Sequence, residues 1–244
     1  MTFLIKKYKI KLGRLIFYFM NWYEFLYLYF EIFVFKEYLF VSNKKAPLIL
    51  DCGAHIGIAL LFFKQKYPNA VIIAFEPQQT NVSLLKQNIT DNRLKDVTIV
   101  SSAVSNHVGN MPLYTSGANK SSWGNSLQAS SDSSSKQLTE TVSVIKLSSY
   151  LDQKIDFLKM DIEGAEVDVL REIEPKIRNV QQLVIEIHNQ IGSANNRLFF
   201  VRNFLKKHLF QIKYKKPLPI ALGEFLGKIM GKNTSDIYIL HAWK

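Results

Sequence analysis

The sequence predicts an α/β protein with a mostly parallel sheet of seven strands. From Leu48 onward, short runs of β-branched and apolar residues alternate with stretches of helical periodicity. This alternation is typical of parallel strands joined by helices that cover both faces of the sheet. A chain of 244 residues can form one large domain with an extension. We therefore expect an extension at residues 1–47 and an α/β domain at residues 48–244.

Seven strands and four helices account for the alternation. The predicted strands are Leu48–Cys52, Val71–Phe75, Val97–Ser101, Phe157–Met160, Leu183–Ile187, Phe210–Tyr214 and Ile237–His241. The predicted helices are Gly57–Lys66, Gln79–Asn92, Ala165–Glu174 and Asn195–Lys207.

One segment interrupts this pattern. Residues 116–136 contain nine serines and lie between two strand-like stretches, Met111–Thr115 and Thr139–Lys146. Loops of this length inside a compact domain are usually disordered or functional. We expect a mobile loop that is either disordered or gates the substrate, and in the second case Trp123 is the residue of most interest.

The N-terminal extension is basic and then aromatic. Residues 1–14 contain five basic and no acidic side chains, and the next 21 residues lack Lys and Arg. Arg14, Asn21, Glu24 and Glu31 recur at intervals of 7, 3 and 7 residues, which predicts an amphipathic helix with one narrow polar stripe. Glu24 and Glu31 would lie inside a transmembrane span and so disfavour it. A signal peptide is disfavoured because no small-residue cleavage site follows the apolar stretch.

Two roles for this helix stay open. Its aromatic face either packs against the domain or a second subunit, or lies on an anionic membrane surface beside the basic leader. Residues 48–205 contain 15 basic and 15 acidic side chains, so the net charge of +11 comes from the two ends of the chain. A neutral central region disfavours a nucleic-acid partner.

The cysteine content favours a reducing compartment. Cys52 is the single cysteine, which excludes an intramolecular disulfide and a zinc site made of thiolates. We expect a cytoplasmic protein, with peripheral attachment to the membrane as the second role open to the N-terminal helix.

A ligand-binding turn is predicted where the first strand of the domain ends. Asp51 is followed by Gly53 and Gly57, at the junction of a strand and a helix. Glycine permits a tight turn, and the helix N-terminus offers amide N–H groups. The spacing differs from the Gly-x-Gly-x-x-Gly of dinucleotide-binding proteins. Glu76 and Pro77 end the next strand, and an acid there commonly accepts hydrogen bonds from both ribose hydroxyls.

Further acidic side chains follow two later strands. Asp161 and Glu163 come directly after the fourth strand, and Glu186 and His188 share one face of the fifth strand. Because the ligand crevice of such sheets lies at the carboxyl ends of the strands, these groups should face the glycine turn. His188 and Asp161 are the candidate bases for a hydroxyl. A divalent metal on Asp161, Glu163 and Glu186 is the less favoured alternative.

Five segments between residues 48 and 189 carry a family resemblance. In order, they are LILDCGAHIG, AFEPQQTNVSLLKQNI, VSSAVSNHVG, LSSYLDQKIDFLKMDIEGAEVDVL and LVIEIH. Together they resemble the FkbM family of S-adenosylmethionine-dependent methyltransferases, with DIEGAE as the most distinctive part. The resemblance implies a class I, Rossmann-like methyltransferase fold whose seventh strand is antiparallel.

The resemblance also implies roles by position. The residues implied to surround the methionine part of the methyl donor are Asp51, Gly53, Ala54, His55 and Gly57. Those implied to hold its ribose and adenine are Glu76 with Pro77, and Ser102 with Ala103. Those implied to line the acceptor side are Asp161, Glu163, Glu166 and His188, and Asp161 borders the donor as well. Family members usually carry Asn where this chain has His55.

The function implied by the resemblance is O-methylation. S-Adenosylmethionine would be the cofactor, and the acceptor would be a hydroxyl of a glycan, glycolipid or secondary metabolite. One alternative is an RNA or protein methyltransferase, although the fourth strand lacks the Asn/Asp-Pro-Pro-aromatic motif of amino-group methylases. The other is a non-catalytic, membrane-tethered module that binds S-adenosylmethionine.

Overall fold

The computed structural model describes residues 6–115, 126–127, 137–188, 197–217 and 237–244. The chain starts with a hairpin of β1 (Tyr8–Leu12) and β2 (Leu15–Phe19). Helix α1 (Trp22–Tyr29) follows and continues into a π-helical turn at Phe30–Val34. The remaining strands are β3 (Leu48–Cys52), β4 (Val71–Phe75), β5 (Val97–Val100), β6 (Ala103–Ser105), β7 (Gly109–Thr115), β8 (Gln137–Lys146), β9 (Ile155–Met160), β10 (Val180–His188), β11 (Gln211–Lys215) and β12 (Ile237–Trp243). The remaining α-helices are α2 (Ile58–Lys66), α3 (Gln79–Asp91), α4 (Glu166–Ile173) and α5 (Arg197–Lys207).

The main sheet has seven strands in the order β11-β12-β10-β9-β3-β4-β5. The five strands from β10 to β5 are parallel to one another. Strand β12 is antiparallel to both of its neighbours. The predicted seven-stranded, mostly parallel sheet with an antiparallel last strand is therefore confirmed. Each predicted strand of the α/β domain lies in this sheet.

A second sheet of three strands has the order β6-β8-β7 and encloses its own small core around Leu113, Val142 and Val144. The serine-rich stretch at 116–136 lies between β7 and β8. Apart from Ser126 and Leu127, this stretch and its Trp123 lie outside the described residues.

The N-terminal helix prediction needs a correction, because residues 8–19 form a hairpin and the helix begins at Trp22. Arg14 therefore lies on the hairpin and is not on the helix. Gly13 makes the hairpin turn with φ +61°. Asn21 then caps the helix, since its side chain accepts hydrogen bonds from the backbone N–H groups of Tyr23 and Glu24.

The helix also places its polar stripe inward. Glu24 and Glu31 are buried, whereas Trp22, Leu26, Phe30 and Val34 are each more than 40% exposed. The spacing of four residues puts these exposed side chains on one face of the helix. Among the described residues, no helix combines the length and apolar character needed to cross a membrane.

Aromatic side chains join the N-terminal segment to the sheet. Phe19 and Phe25 stack with ring centroids 4.2 Å apart, and both belong to the same buried cluster as Phe63 of α2. Phe40 stacks on Phe157 of β9, also at 4.2 Å. The hairpin, the helix and the sheet therefore share one hydrophobic core.

Replacing Phe25 by Ala should lower the free energy of unfolding by about 3 to 5 kcal/mol, because its ring is 1% exposed within this core. Phe30→Ala, on the same segment but 48% exposed, should change it by much less than Phe25→Ala does. Urea denaturation followed by fluorescence measures both. Equal effects of the two substitutions would contradict the packing of the helix described above.

Candidate active site

Five adjacent strands, β10, β9, β3, β4 and β5, bring the predicted site residues to one edge of the sheet. The turns that follow β3 and β9 lie side by side. The N–H of Asp161 donates a hydrogen bond to the carbonyl of Cys52 at 3.0 Å. The N–H groups of Gly53 and Ala54 both donate to the carbonyl of Phe75, at the end of β4. The carboxyl ends of β3, β4 and β9 are thus joined by backbone hydrogen bonds.

Gly53 is required by this junction. Its φ is +84°, and a Cβ atom there would lie 1.8 Å from the carbonyl oxygen of Asp161. A residue with a Cβ atom cannot fit where the turn after β3 meets the turn after β9. The sequence predicts a tight turn here that also approaches a ligand, and the structure shows that the neighbouring backbone by itself requires glycine.

Glu76 is the centre of the group of residues predicted to hold the methyl donor, which we call the donor side. Its carboxylate is 6% exposed and accepts hydrogen bonds from the backbone N–H groups of His55 (2.9 Å) and Gln78 (3.0 Å) and from Nδ2 of Asn81 (3.3 Å). Burial raises the pKa of Glu76 to about 7, although these hydrogen bonds oppose the shift. His55 has φ +50°, a conformation that Asn, Asp and His adopt more readily than other residues.

The donor side has capacity for a ribose. A carboxylate accepts about four hydrogen bonds, so Glu76, which accepts three from the protein, retains room for a hydroxyl. Oδ1 of Asn81 is buried and has no hydrogen-bond partner in the described part of the chain. Sequence analysis missed Asn81, which lies five residues after Glu76. Pro77 follows Glu76 directly, and Ser102 and Ala103 follow the end of neighbouring β5, where both are mostly buried.

Asp51 lies deeper than the sequence indicated. It is fully buried, and its Oδ1 lies 3.3 Å from Nζ of Lys159. Lys159 also lies 3.5 Å from Oδ2 of Asp161 and donates a hydrogen bond to the carbonyl of Gly53 at 2.7 Å. Burial lowers the pKa of Lys159, but the nearby carboxylates outweigh it and hold the pKa above its ordinary value. Sequence analysis missed Lys159, although it lies inside the FLKMD segment.

His188 collects three carboxylates on the acceptor side. Its Nε2 lies 3.5 Å from Oε2 of Glu163 and 3.5 Å from Oε1 of Glu186, and its Nδ1 lies 3.4 Å from Oε1 of Glu166. Glu166 is fully buried and also accepts the backbone N–H of Gly164 at 2.9 Å. The predicted acceptor-side residues are therefore brought together in one cluster.

Burial and neighbouring charges shift the pKa values of the groups in this cluster. Burial lowers the pKa of His188, but the carboxylates of Glu163, Glu166 and Glu186 raise it well above its ordinary value. Burial raises the pKa of Glu163 to about 7, and raises the pKa of Asp161 together with the charge of Glu186.

The N-terminal segment completes the acceptor side. The hydroxyl of Tyr38 lies 3.1 Å from Oε2 of Glu186, to which it donates. Glu31, in the π-helical turn, is 2% exposed, and burial and then the charges of Glu186 and Asp161 raise its pKa well above its ordinary value. Sequence analysis placed neither residue in the site. The available signal was the presence of acidic side chains on an otherwise apolar helix.

A separate cavity of about 710 Å³ lies between residues 36–41 and strands β9 to β12. Its lining includes Phe40, Gln182 and Trp243 but none of the donor-side or acceptor-side groups described above. The candidate active site is thus distinct from this cavity and lies at the carboxyl edge of the sheet, where the groups described above meet.

A family model described as the methyltransferase FkbM domain matches residues 51–212. The chain belongs to the FkbM methyltransferase family. The resemblance drawn from the sequence is confirmed, and so is the class I methyltransferase fold. Family and fold identify an S-adenosylmethionine-dependent methyltransferase domain.

Two curated relatives cover most of the chain. Methyltransferase sdnD of Sordaria araneosa is 29% identical over 206 residues, or 70% of this chain and 79% of that protein. The 31-O-demethyl-FK506 methyltransferase FkbM of Streptomyces tacrolimicus is 26% identical over 243 residues, or 86% of this chain and 90% of that protein.

A solved structure, methyltransferase FkbM from Methylobacillus flagellatus KT, shares the fold. It has a TM-score of 0.58 and 17% identity, and the match covers 88% of this chain. The match covers 48% of that protein, so this chain spans about half of its length.

Replacing Lys159 by Met should destabilise this FkbM domain by about 3 to 5 kcal/mol, because Asp51 and Asp161 lose a buried positive partner. Adding Asp51→Asn should recover part of the loss, since it removes one of the two unpaired charges. The exposed Lys154→Met serves as the control and should change stability by less than about 0.5 kcal/mol. Denaturant titration measures all three, and a Lys159→Met protein as stable as wild type would contradict the described network.

Proposed function

We propose that this FkbM domain transfers the methyl group of S-adenosylmethionine to a hydroxyl group of a glycan, glycolipid or secondary metabolite. The observation that carries the proposal is the cluster of Asp161, Glu163, Glu186 and His188 beside the donor side of the crevice. A hydroxyl must lose a proton to become a methyl ether, and carboxylates and imidazole are the groups that accept protons near neutral pH.

The chain's own residues divide the work between two sides. When bound, S-adenosylmethionine supplies a methyl group activated on a sulfonium. Glu76 accepts hydrogen bonds from the ribose, with Asn81 beside it, and the turn from Gly53 to Gly57 holds the methionine part. On the other side, the cluster around His188 orients the acceptor hydroxyl and takes its proton. Holding the two reactants in line is a main source of the rate enhancement.

A relative's name supports oxygen as the accepting atom. The Streptomyces tacrolimicus protein is named as the methyltransferase of 31-O-demethyl-FK506, which describes methylation of an oxygen. The absence of the Asn/Asp-Pro-Pro-aromatic motif after the fourth strand of the α/β domain also disfavours an amino-group acceptor.

Calorimetric titration with S-adenosylhomocysteine tests the donor side. The ionised form of Glu76 accepts the ribose hydroxyls, and its pKa of about 7 predicts that affinity falls as the pH drops below 7, approaching about tenfold per pH unit. Glu76→Gln should bind much more weakly and without this pH dependence. Asp168→Asn, which alters an exposed acid on α4, should bind as wild type does.

A well-folded wild-type protein that fails to bind S-adenosylhomocysteine would overturn the proposed function. Binding that is unchanged in Glu76→Gln would show that the ribose lies elsewhere.

We further propose that the acceptor is presented at an anionic membrane surface. The exposed face of the N-terminal helix carries Trp22, Leu26, Phe30 and Val34, an arrangement suited to the headgroup region of a bilayer. One basic side chain adjoins this face: Lys6 lies over the ring of Tyr8, and Tyr8 packs against Trp22 with ring centroids 5.7 Å apart. Lysines beside exposed aromatic residues favour anionic lipid.

Sedimentation with vesicles tests this surface. The wild-type protein should pellet with vesicles that contain phosphatidylglycerol, and less with pure phosphatidylcholine. Leu26→Ser combined with Phe30→Ser should weaken binding by about tenfold or more, because two half-exposed apolar side chains are lost. Val108→Ser, at an exposed valine in the turn between β6 and β7, is the matched control. Failure of the wild type to bind anionic vesicles, or equal binding by both variants, would refute the membrane proposal.

A further inference from the structure

The acceptor side contains a set of groups suited to a metal ion. One atom each of Asp161, Glu186 and His188 lies within 4.8 Å of the corresponding atoms of the other two. Their side chains are 24%, 12% and 18% exposed, so the set opens to the crevice and is otherwise enclosed by protein. The ligands of an octahedral ion at about 2.1 Å lie about 3 to 4 Å apart, so small side-chain movements would bring these three atoms to that spacing.

The orientation of His188 supports the same conclusion. Its Nδ1 lies 3.4 Å from Oε1 of Glu166, a fully buried side chain. The contact with Glu166 therefore orients the ring so that Nε2 faces Oε1 of Glu186 at 3.5 Å. A carboxylate that orients a histidine through its second nitrogen is a common arrangement behind metal ligands.

A second observation comes from the N-terminal segment. Glu31 is 2% exposed, and its Oε1 is buried and makes no hydrogen bond within the described residues. The charges that act on it most strongly are those of Glu186 and Asp161, which places it on the same side of the crevice. Leaving a buried carboxylate oxygen without a partner is costly. A cation among these groups would remove that cost.

We infer that Asp161, Glu186 and His188 bind one divalent cation of the Mg²⁺ or Mn²⁺ class. Two carboxylates and one imidazole are typical of such hard or borderline ions. The inference rests on the proposed function, because the cation would lie where the acceptor hydroxyl must approach.

The cation would assist the reaction by lowering the pKa of the acceptor hydroxyl. The O–H bond breaks and the proton passes to the carboxylate of Glu163, which lies next to His188. The oxygen then forms its bond to the methyl carbon as the carbon–sulfur bond breaks. The sulfonium becomes the neutral thioether of S-adenosylhomocysteine, so charge and atoms balance.

Titration of chelator-treated, full-length protein with MnCl₂ tests the site without an acceptor. Electron paramagnetic resonance of free Mn²⁺ should show one equivalent bound by the wild type. Glu186→Gln should weaken binding at least tenfold, and Glu166→Gln should weaken it by about 10- to 100-fold by releasing His188. Asp168→Asn, at an exposed acid outside the crevice, should leave binding unchanged.

The outcomes separate this inference from the proposed function. Wild-type protein that binds no more Mn²⁺ than Glu186→Gln would overturn the metal site, provided that both proteins show the same circular dichroism spectrum. S-Adenosylhomocysteine binding in the presence of EDTA would then still support the proposed function. Loss of S-adenosylhomocysteine binding by the wild type would refute the proposed function, whatever the result with Mn²⁺.

Discussion

The structure of the crevice depends on the buried ammonium group of Lys159. It lies between Asp51 and Asp161 and donates to the carbonyl of Gly53, so it ties the turn after β3 to the turn after β9. It also lies 5.3 Å from the ring centre of Tyr38, which belongs to the N-terminal segment. The ammonium group of Lys159 therefore fixes the positions of the donor side, the acceptor side and the N-terminal segment relative to one another. Buried charges are tolerated only when paired in this way.

This arrangement explains why the acidic side chains of the N-terminal helical segment point toward the protein interior. The hydroxyl of Tyr38 donates to Glu186, and the charge of Glu186 also acts on the buried carboxyl group of Glu31. The apolar side chains of a helix that supplies polar groups to a crevice lie either in the core or at the surface. Phe25 and Ile32 are buried in the core, and Leu26 and Phe30 are exposed. The same segment thus shapes the acceptor side and presents an apolar surface outside it.

Local patterns were sufficient to predict most of the fold. Strands such as Leu48–Cys52 and Val71–Phe75 were placed without error, because short apolar runs between helical stretches have few alternative structures. The hairpin at residues 8–19 was not predicted, because the helical spacing of the polar residues extends across it and the turn depends on a positive φ at Gly13. In the site, strand ends predicted Glu76 and His188. Lys159 and Glu31 depend on which distant charges surround them, and a single sequence does not display such pairings.

The central claim is that one crevice holds the methyl donor at Glu76 and leaves the cluster around His188 free for the acceptor. A crystal structure of the protein with S-adenosylhomocysteine tests it most directly. We expect the ribose hydroxyls within hydrogen-bond distance of the Glu76 carboxylate, with the sulfur atom directed toward Asp161 and His188. A ligand that covers the His188 cluster, or that binds away from the carboxyl edge of the sheet, would contradict this account.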